Sequence, residues 1–358
     1  MSHADHDFMQ MTLRLAARGL GDTWPNPAVG CVIVKDGVVV GRGWTQSGGR
    51  PHAETEALQR AGSAAKGATA YVSLEPCSHH GKTPPCAEAL IAAGIARVVV
   101  AATDPDPRVS GQGTLKLRAA KIDVVDNICR AEAEHLNAGF FKRITQQRPL
   151  FALKTATSLD GRIALANGES KWITGPEARR ATHAIRARFD AVLVGSETVI
   201  QDDPELTCRL PGYTGRPKVR IVLDRRLRVA TDRKVIQTAA SVPTWIYTTQ
   251  AAPKDFGKSG ATVVQLGGSD FLAAVAADLA AKGITRVLIE GGGQVAAAFL
   301  KAGLIDELYW FRGAQVLGGD GVPAVAALGL DRLTVAPHFK RRDTMRFSED
   351  ILEVFERR

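Results

Sequence analysis

Long hydrophobic runs are missing from this chain of 358 residues. None approaches the ~18 apolar residues that a membrane-crossing helix requires, so no span is expected. The opening residues, Met1-Ser2-His3-Ala4-Asp5-His6-Asp7, carry neither a basic n-region nor an apolar h-region, and the cytoplasm is the expected compartment. Aromatic residues are scarce at 6 %. They do not interleave with the two basic clusters, Arg225-Arg226-Leu227-Arg228 and Lys340-Arg341-Arg342, which argues against a nucleic-acid partner despite a formal charge of +9. A phosphorylated small molecule accounts better for positive charge spread so thinly. The five cysteines, Cys31, Cys77, Cys86, Cys129 and Cys208, are odd in number and scattered, which excludes a disulfide framework and fits a reducing compartment.

With 45 % hydrophobic and 23 % charged residues the composition is globular, and the length favours two domains. Strand-like and helical patterns alternate throughout, the mark of an α/β chain. In the first half, helices are expected over 9–20, 52–61, 86–93, 113–120 and 130–143. Strands are expected over 29–34, 38–43, 70–74, 97–102 and 122–125, the first two around an Asp36-Gly37 turn. Gln146-Gln147-Arg148-Pro149 is polar, ends in proline and reads as a hinge. The expected domains are therefore 1–145 and 149–358. The second half restarts with a strand at 150–155, a helix at 176–188 and strands at 191–194, 219–223, 244–247 and 262–266. After these come a helix at 270–281, a strand at 287–289, a helix at 294–302 and apolar segments at 308–311 and 351–355. No internal repeat links the halves.

His52, Cys77 and Cys86 are the residue types that hold zinc, and three such ligands leave a four-coordinate ion one position for water. Glu54, two residues after the histidine, would sit beside the metal without ligating it and could carry protons. Together they match the zinc-deaminase signature, H-x-E then P-C-x-x-C, except that eight residues rather than two separate the cysteines. A closed structural zinc site, with His79 or His80 as fourth ligand, is the competing reading. Cys31 lies in an apolar strand-like run and reads as a small core residue. Further on, Glu290-Gly291-Gly292-Gly293-Gln294 follows a strand and opens a helix, so its backbone N–H groups could cradle a phosphate. A tight strand-to-helix turn with no ligand would look the same.

Three motifs carry a resemblance. Pro25-Asn26-Pro27-Ala28-Val29-Gly30, Pro51-His52-Ala53-Glu54 and the run from Glu75 to Cys86 resemble the deaminase half of the RibD family of bifunctional riboflavin-biosynthesis proteins. The longer cysteine spacing is that family's pattern, and Asp104-Pro105-Asp106-Pro107 with Gly111-Gln112-Gly113 looks like its substrate-side loop. The resemblance implies a cytidine-deaminase-like three-layer α/β/α zinc domain. It also implies a phosphoribosylated diaminopyrimidine as substrate, held by Asn26 and the 79–83 loop, with Lys82 at the phosphate. Thr45 departs from the histidine that family members often carry there.

Lys154-Thr155-Ala156-Thr157-Ser158-Leu159-Asp160-Gly161-Arg162, Gly168-Glu169-Ser170-Lys171-Trp172-Ile173-Thr174 and the stretch from Gly195 to Pro204 look like the family's reductase half. That half is dihydrofolate-reductase-like and binds NADPH. By resemblance, Ala156, Trp172, Thr198, Asp202 and the turn Gly292, Gly293, Gln294, Val295, Ala296, Ala297 and Ala298 would contact the cofactor. Ser170, Arg186, Leu206, Arg209 and Glu290 would contact the substrate, the two arginines as phosphate clamps. Arg225 or Arg226 would meet the adenosine 2′-phosphate. The expected protein is thus a Zn²⁺- and NADPH-dependent enzyme of two successive steps, a homo-oligomer with no membrane or nucleic-acid partner. The alternative is a nucleotide or tRNA deaminase with an accessory nucleotide-binding domain.

Overall fold

The computed structural model describes residues 3–80, 84–251, 256 and 259–358. The chain divides into two compact units, Met1–Arg148 and Pro149–Arg358.

Unit 1 runs α1 (His3–Ala16), β1 (Gly30–Lys35), β2 (Val38–Trp44), α2 (Ala53–Ala61), β3 (Thr69–Val72), α3 (Cys86–Ala92), β4 (Arg97–Val100), α4 (Gln112–Ala119), β5 (Asp123–Val125), α5 (Arg130–Leu136) and α6 (Ala138–Gln146). Its sheet has the order β2-β1-β3-β4-β5, with β1 antiparallel to both neighbours and β3, β4 and β5 parallel. Successive strand residues point to opposite faces, so β1 serves two cores. Cys31 and Ile33 pack with Ala53, Ala57, Leu90 and Leu117, whereas Val32 and Val34 pack with Met9, Leu13, Ala133 and Phe140. Three layers result, with α2, α3 and α4 on one face and α1, α5 and α6 on the other. Glycine sets how closely α2 can lie on β2: a Cβ at Gly41 would stand 2.3 Å from Ala57 O, and one at Gly43 2.4 Å from Ala53 O. That close approach fixes the helix whose first turn carries His52 and Glu54.

The helix expected over 130–143 is broken. Asn137 is buried at the break, where its Oδ1 accepts from Ala28 N at 2.9 Å and its Nδ2 donates to Ala28 O at 3.0 Å. A side chain so committed stitches this face to the loop before β1, a tertiary demand that helical spacing cannot signal.

Unit 2 continues with β6 (Leu150–Thr157), β7 (Arg162–Ala164), α7 (Pro176–Ala187), β8 (Ala191–Gly195), α8 (Ser196–Asp202), β9 (Val219–Leu223), α9 (Lys234–Gln237), β10 (Thr244–Thr248), β11 (Thr262–Gln265), α10 (Phe271–Ala281), β12 (Arg286–Ile289), α11 (Gly293–Lys301), β13 (Ile305–Arg312), β14 (Val322–Pro323), β15 (Phe339–Phe347) and β16 (Asp350–Arg357). The main sheet has the order β11-β10-β9-β8-β12-β6-β13-β16-β15. Neighbours are parallel from β11 to β13, and β16 and β15 then add an antiparallel hairpin. The central strands β8 and β12 are buried along their whole length, as parallel strands covered on both faces must be. Ligands in such sheets gather outside the carboxyl ends of the strands, here Ala156, Gly195 and Glu290. Among the described residues, no helix is long and apolar enough to cross a membrane.

Candidate active sites

In unit 1, His52 caps α2 rather than opening it, with φ −73° and ψ 159°, while Cys86 is the first residue of α3. His52 Nδ1 lies 3.2 Å from Cys86 Sγ and 3.7 Å from Cys77 Sγ. All three ligand atoms fall within 4.8 Å of one another. Zn–S bonds of ~2.3 Å and Zn–N bonds of ~2.0–2.1 Å in a tetrahedron put N and S about 3.6 Å apart, so the cluster fits zinc. Cys86 N donates to Cys77 Sγ at 3.3 Å, and the Cys77 thiol is pulled down to about 4, chiefly by the hydrogen bond from Cys86 and then by His52. The Cys86 thiol is pushed up, first by its hydrogen bond with Cys77 and then by burial. A bound cation would remove the proton from either, because a coordinating thiol is deprotonated.

Glu54 is 3 % exposed on the first turn of α2, and burial pushes its carboxyl up to about 7 against the pull of His52. Cys31, fully buried, packs in the core as its apolar surroundings suggest. Among the described residues neither His79 nor His80 joins the metal cluster: His79 lines the pocket, and His80 pairs with Glu88 at 3.5 Å on the surface. The closed structural site therefore lacks its fourth ligand.

A pocket of about 220 Å³ opens over His52, Glu54 and Cys77. Asn26 and Thr45 are among its lining residues. Asn26 Nδ2 donates to Gly49 O at 3.2 Å, and Thr45 Oγ1 accepts from Val29 N at 3.0 Å, so Thr45 holds the β1 entry loop. Asp104, Asp106, Arg50, Arg108 and Arg143 line the same pocket; the two aspartates belong to the expected substrate-side loop, whereas the three arginines had no expected role. Burial, then Asp106 and Glu75, raises Asp104 to about 7. Arg143 is pulled down by burial, and Arg108 adds to the pull. Two guanidinium groups lining one pocket suit an anion. Lys82 lies outside the described residues.

In unit 2 the strand ends converge on a buried ion pair. Arg186 donates from Nε to Glu290 Oε1 at 2.7 Å and from Nη2 to Oε2 at 2.8 Å, while Nη1 reaches Thr207 O. The phosphate-clamp reading of Arg186 is thereby corrected: Glu290 already fills the bidentate face that a phosphate would use. Removing either partner would leave a buried charge unpaired, a loss of about 3–5 kcal/mol. Beside the pair sits Lys154 on β6, pulled down by burial although Glu290 opposes the shift. His183 is also near, pulled down by burial and by Arg186. Neither residue has a role in the sequence reading. Leu206 is buried with φ +54°, whereas Arg209 is exposed and pairs with Glu205 at 2.8 Å. Ser170 is half-buried, with no hydrogen bond to this cluster among those described.

The glycine turn after β12 runs flush against β8. A Cβ at Gly291 would stand 2.9 Å from Val194 Cα, one at Gly293 2.6 Å from Pro323 O, and one at Gly292 3.7 Å from Thr198 Oγ1. Gln294, Val295 and Ala298 then line a cleft of about 640 Å³ with Ser196, Asp224, Arg225, Arg226, Arg228 and Ser269. Arg225 lies over the Phe271 ring at 5.4 Å. Asp224 is 1 % exposed, its Oδ2 accepts from Val229 N at 2.8 Å, and its Oδ1 has no hydrogen-bond partner among the described residues. The glycine cradle and the clustered arginines fit the phosphates of a phosphorylated dinucleotide, and the buried Asp224 acceptor fits a hydroxyl donor of its ribose. Ala296 and Ala297 are buried on α11, so only their backbone could meet a ligand. Ala156 lies on β6, Asp202 is exposed at the end of α8, and Trp172 is 67 % exposed against Arg179 at 4.2 Å.

Comparison with known proteins agrees with both halves. Residues 2–102 match the family described as the cytidine and deoxycytidylate deaminase zinc-binding region, and residues 149–352 match the RibD C-terminal domain. The chain is 43 % identical over 360 residues to a riboflavin biosynthesis protein RibD from Escherichia coli, covering 97 % of this chain and 98 % of that one. A protein of the same name from Aquifex aeolicus is 42 % identical, with 99 % and 98 % covered. Among solved structures, Acinetobacter baumannii RibD superposes with a TM-score of 0.92 at 39 % identity, covering 99 % of each chain. A diaminohydroxyphosphoribosylaminopyrimidine deaminase/5-amino-6-(5-phosphoribosylamino)uracil reductase from Thermotoga maritima gives 0.89 at 35 %, again over 99 % of each.

Proposed function

Because this chain belongs to the RibD family of bifunctional deaminase–reductases, we propose that its two pockets act in turn on one phosphoribosylated pyrimidine. It is an enzyme of riboflavin biosynthesis, using Zn²⁺ in a cytidine-deaminase-like N-terminal domain and NADPH in the C-terminal reductase domain. Residues 1–145 are assigned to the first step and 149–358 to the second. The substrate is read as 2,5-diamino-6-(5-phosphoribosylamino)pyrimidin-4-one, deaminated at the ring and then reduced from ribosyl to ribityl. The convergence of His52 Nδ1, Cys77 Sγ and Cys86 Sγ beneath an open pocket carries this reading.

When bound, zinc lowers the pKa of water to near 7 and so supplies the nucleophile for hydrolysis. His52, Cys77 and Cys86 hold it. Glu54, sealed from solvent, takes a proton at its carboxylate and returns it to the departing amine. Asn26 holds the pyrimidine beside Thr45, and Arg108, Arg143 and Arg50, with Lys82, take the phosphate as a guanidinium cluster suits an oxyanion.

NADPH, when bound, supplies the hydride that C1′ receives. The backbone of Gly292 to Ala298, with Thr198, Ala156, Trp172 and Asp202, holds the cofactor, and Arg225 and Arg226 read the 2′-phosphate. As the C1′–O4′ bond opens, O4′ must gain a proton. Lys154 Nζ is its donor, and the Arg186-braced Glu290 orients the substrate together with Ser170, Leu206 and Arg209. A cytoplasmic homo-oligomer free of nucleic acid completes the reading, checked by sedimentation and by the ultraviolet absorbance ratio of the purified protein. The deciding experiment supplies the pyrimidine first without NADPH and then with it. Ammonia release followed by NADPH oxidation is expected; ammonia without oxidation would remove the reductase assignment.

A further inference from the structure

One buried carboxylate of the deaminase pocket takes no part in the steps above. Glu75 is 4 % exposed and stands two residues before Cys77. Both of its oxygens are directed at backbone amides. Oε1 accepts from Gly113 N at 2.9 Å and Thr114 N at 3.2 Å, and Oε2 accepts from Gly111 N at 2.9 Å and Asp104 N at 3.3 Å. Bonds to an ionised acceptor are the strong kind, and four on one group make a rigid joint.

Those four donors bracket a single loop. Asp104 stands at its start, Gly111 to Thr114 at its end, and Asp106 and Arg108 project from between. Arg108 is further fixed by Asp106, whose Oδ1 accepts from Arg108 Nε at 3.0 Å. The loop end also lies hard against the metal-ligand segment, for a Cβ at Gly113 would stand 2.0 Å from Pro76 O. Simple capping of α4 would explain Gly113 and Thr114. It does not explain Asp104 N, which is eight residues before the helix and at the opposite end of the loop.

We propose that Glu75 is a positioning residue for substrate recognition, tying the loop that carries Asp104, Asp106 and Arg108 to the segment that presents Cys77. Pyrimidine-phosphate recognition and the metal ligands are thereby set in one register. The inference rests on the reading of Arg108 as a phosphate contact.

The test uses the full-length chain with Glu75→Gln, Glu75→Ala and Arg108→Ala. Zinc content and NADPH oxidation on the deaminated product report an intact protein, while deamination kinetics are measured on the phosphorylated substrate and its dephosphorylated counterpart. Glutamine keeps the shape but loses acceptor capacity. Glu75→Gln is therefore expected to keep zinc, to raise KM for the phosphorylated substrate about tenfold with kcat changed about twofold or less, and to shrink the preference for phosphate. Glu75→Ala should do the same more strongly; if it fails to fold, the glutamine variant decides. A zinc-loaded Glu75→Gln with unchanged KM and phosphate preference overturns the proposal, and so does loss of zinc in that variant, which would make the residue a support of the metal site alone. Arg108→Ala separates the two claims. If it erases the preference while Glu75→Gln does not, only the Glu75 inference fails. Should Glu75→Gln shrink the preference and Arg108→Ala leave it intact, the loop is positioned as proposed but a different group on it reads the phosphate.

Discussion

The two halves of this protein organise chemistry in opposite ways. Unit 1 gathers its reactive atoms into a cage, three ligand atoms within 4.8 Å and one buried acid beside them. Unit 2 spreads its work over the ends of β6, β8, β9 and β12, with a glycine backbone and an open cleft taking the place of a cage. A cage fails as a whole when one member is lost, whereas a cleft built from many weak contacts loses function by degrees. Substitutions should therefore be steep in the first unit and graded in the second.

Removing zinc with a chelator sets the upper limit: ammonia release is expected to cease while NADPH oxidation on the deaminated product continues. A parallel loss of both activities would break the contrast. Next in size, Glu54→Gln should lower deamination by about 10³-fold, within the span of general acid–base catalysis, with zinc content unchanged by metal analysis. Lys154→Met should reduce the reductase rate by about 10²-fold, on the same scale but with binding left to many other contacts. The pH profile gives that prediction its sign. Burial lowers the Lys154 pKa, so a lysine that donates a proton is charged at lower pH and loses its proton as pH rises through that lowered value. The reductase rate should fall on the alkaline side, below the ordinary lysine range, and this limb should vanish in Lys154→Met. Smallest of all, alanine at both Arg225 and Arg226 should cut the preference for NADPH over NADH by about tenfold, the scale of one charge-assisted contact, leaving the NADH rate nearly unchanged. An unchanged preference would move the 2′-phosphate away from this cleft.

How far each half was legible follows from the same contrast. Metal chemistry demands particular side chains, so His52, Cys77, Cys86 and Glu54 stand out as letters, and the structure brings the three ligands together. Backbone recognition demands only small residues in a turn, and the glycines after β12 could be read as a cradle or as a plain corner. Their close approach to Val194 and Pro323 is visible only in three dimensions. Arg186 was legible as a cation but not as the partner of Glu290, because their pairing spans 104 positions of sequence. The same holds for Arg108 and Arg143, which line one pocket from a loop and a distant helix. Strand β15 went unread for another reason: its residues are exposed from Lys340 to Arg346, so no alternation of apolar and polar residues marks it. Ser170 and Asp202 rest on resemblance, for no hydrogen bond or ion pair among the described residues singles them out.

That same strand closes the main sheet at one side, with β16 its only sheet partner among the described residues. A bare strand edge invites another chain to add to it, the first event in edge-to-edge aggregation. Here the template resists copying. Two β15 strands aligned antiparallel about Asp343 would set Lys340 against Arg346 on both sides of the centre, and like charges directly opposite each other destabilise such a pair. The basic character that first suggested an anionic ligand therefore has a second consequence at this edge, keeping a nine-stranded sheet from growing longer.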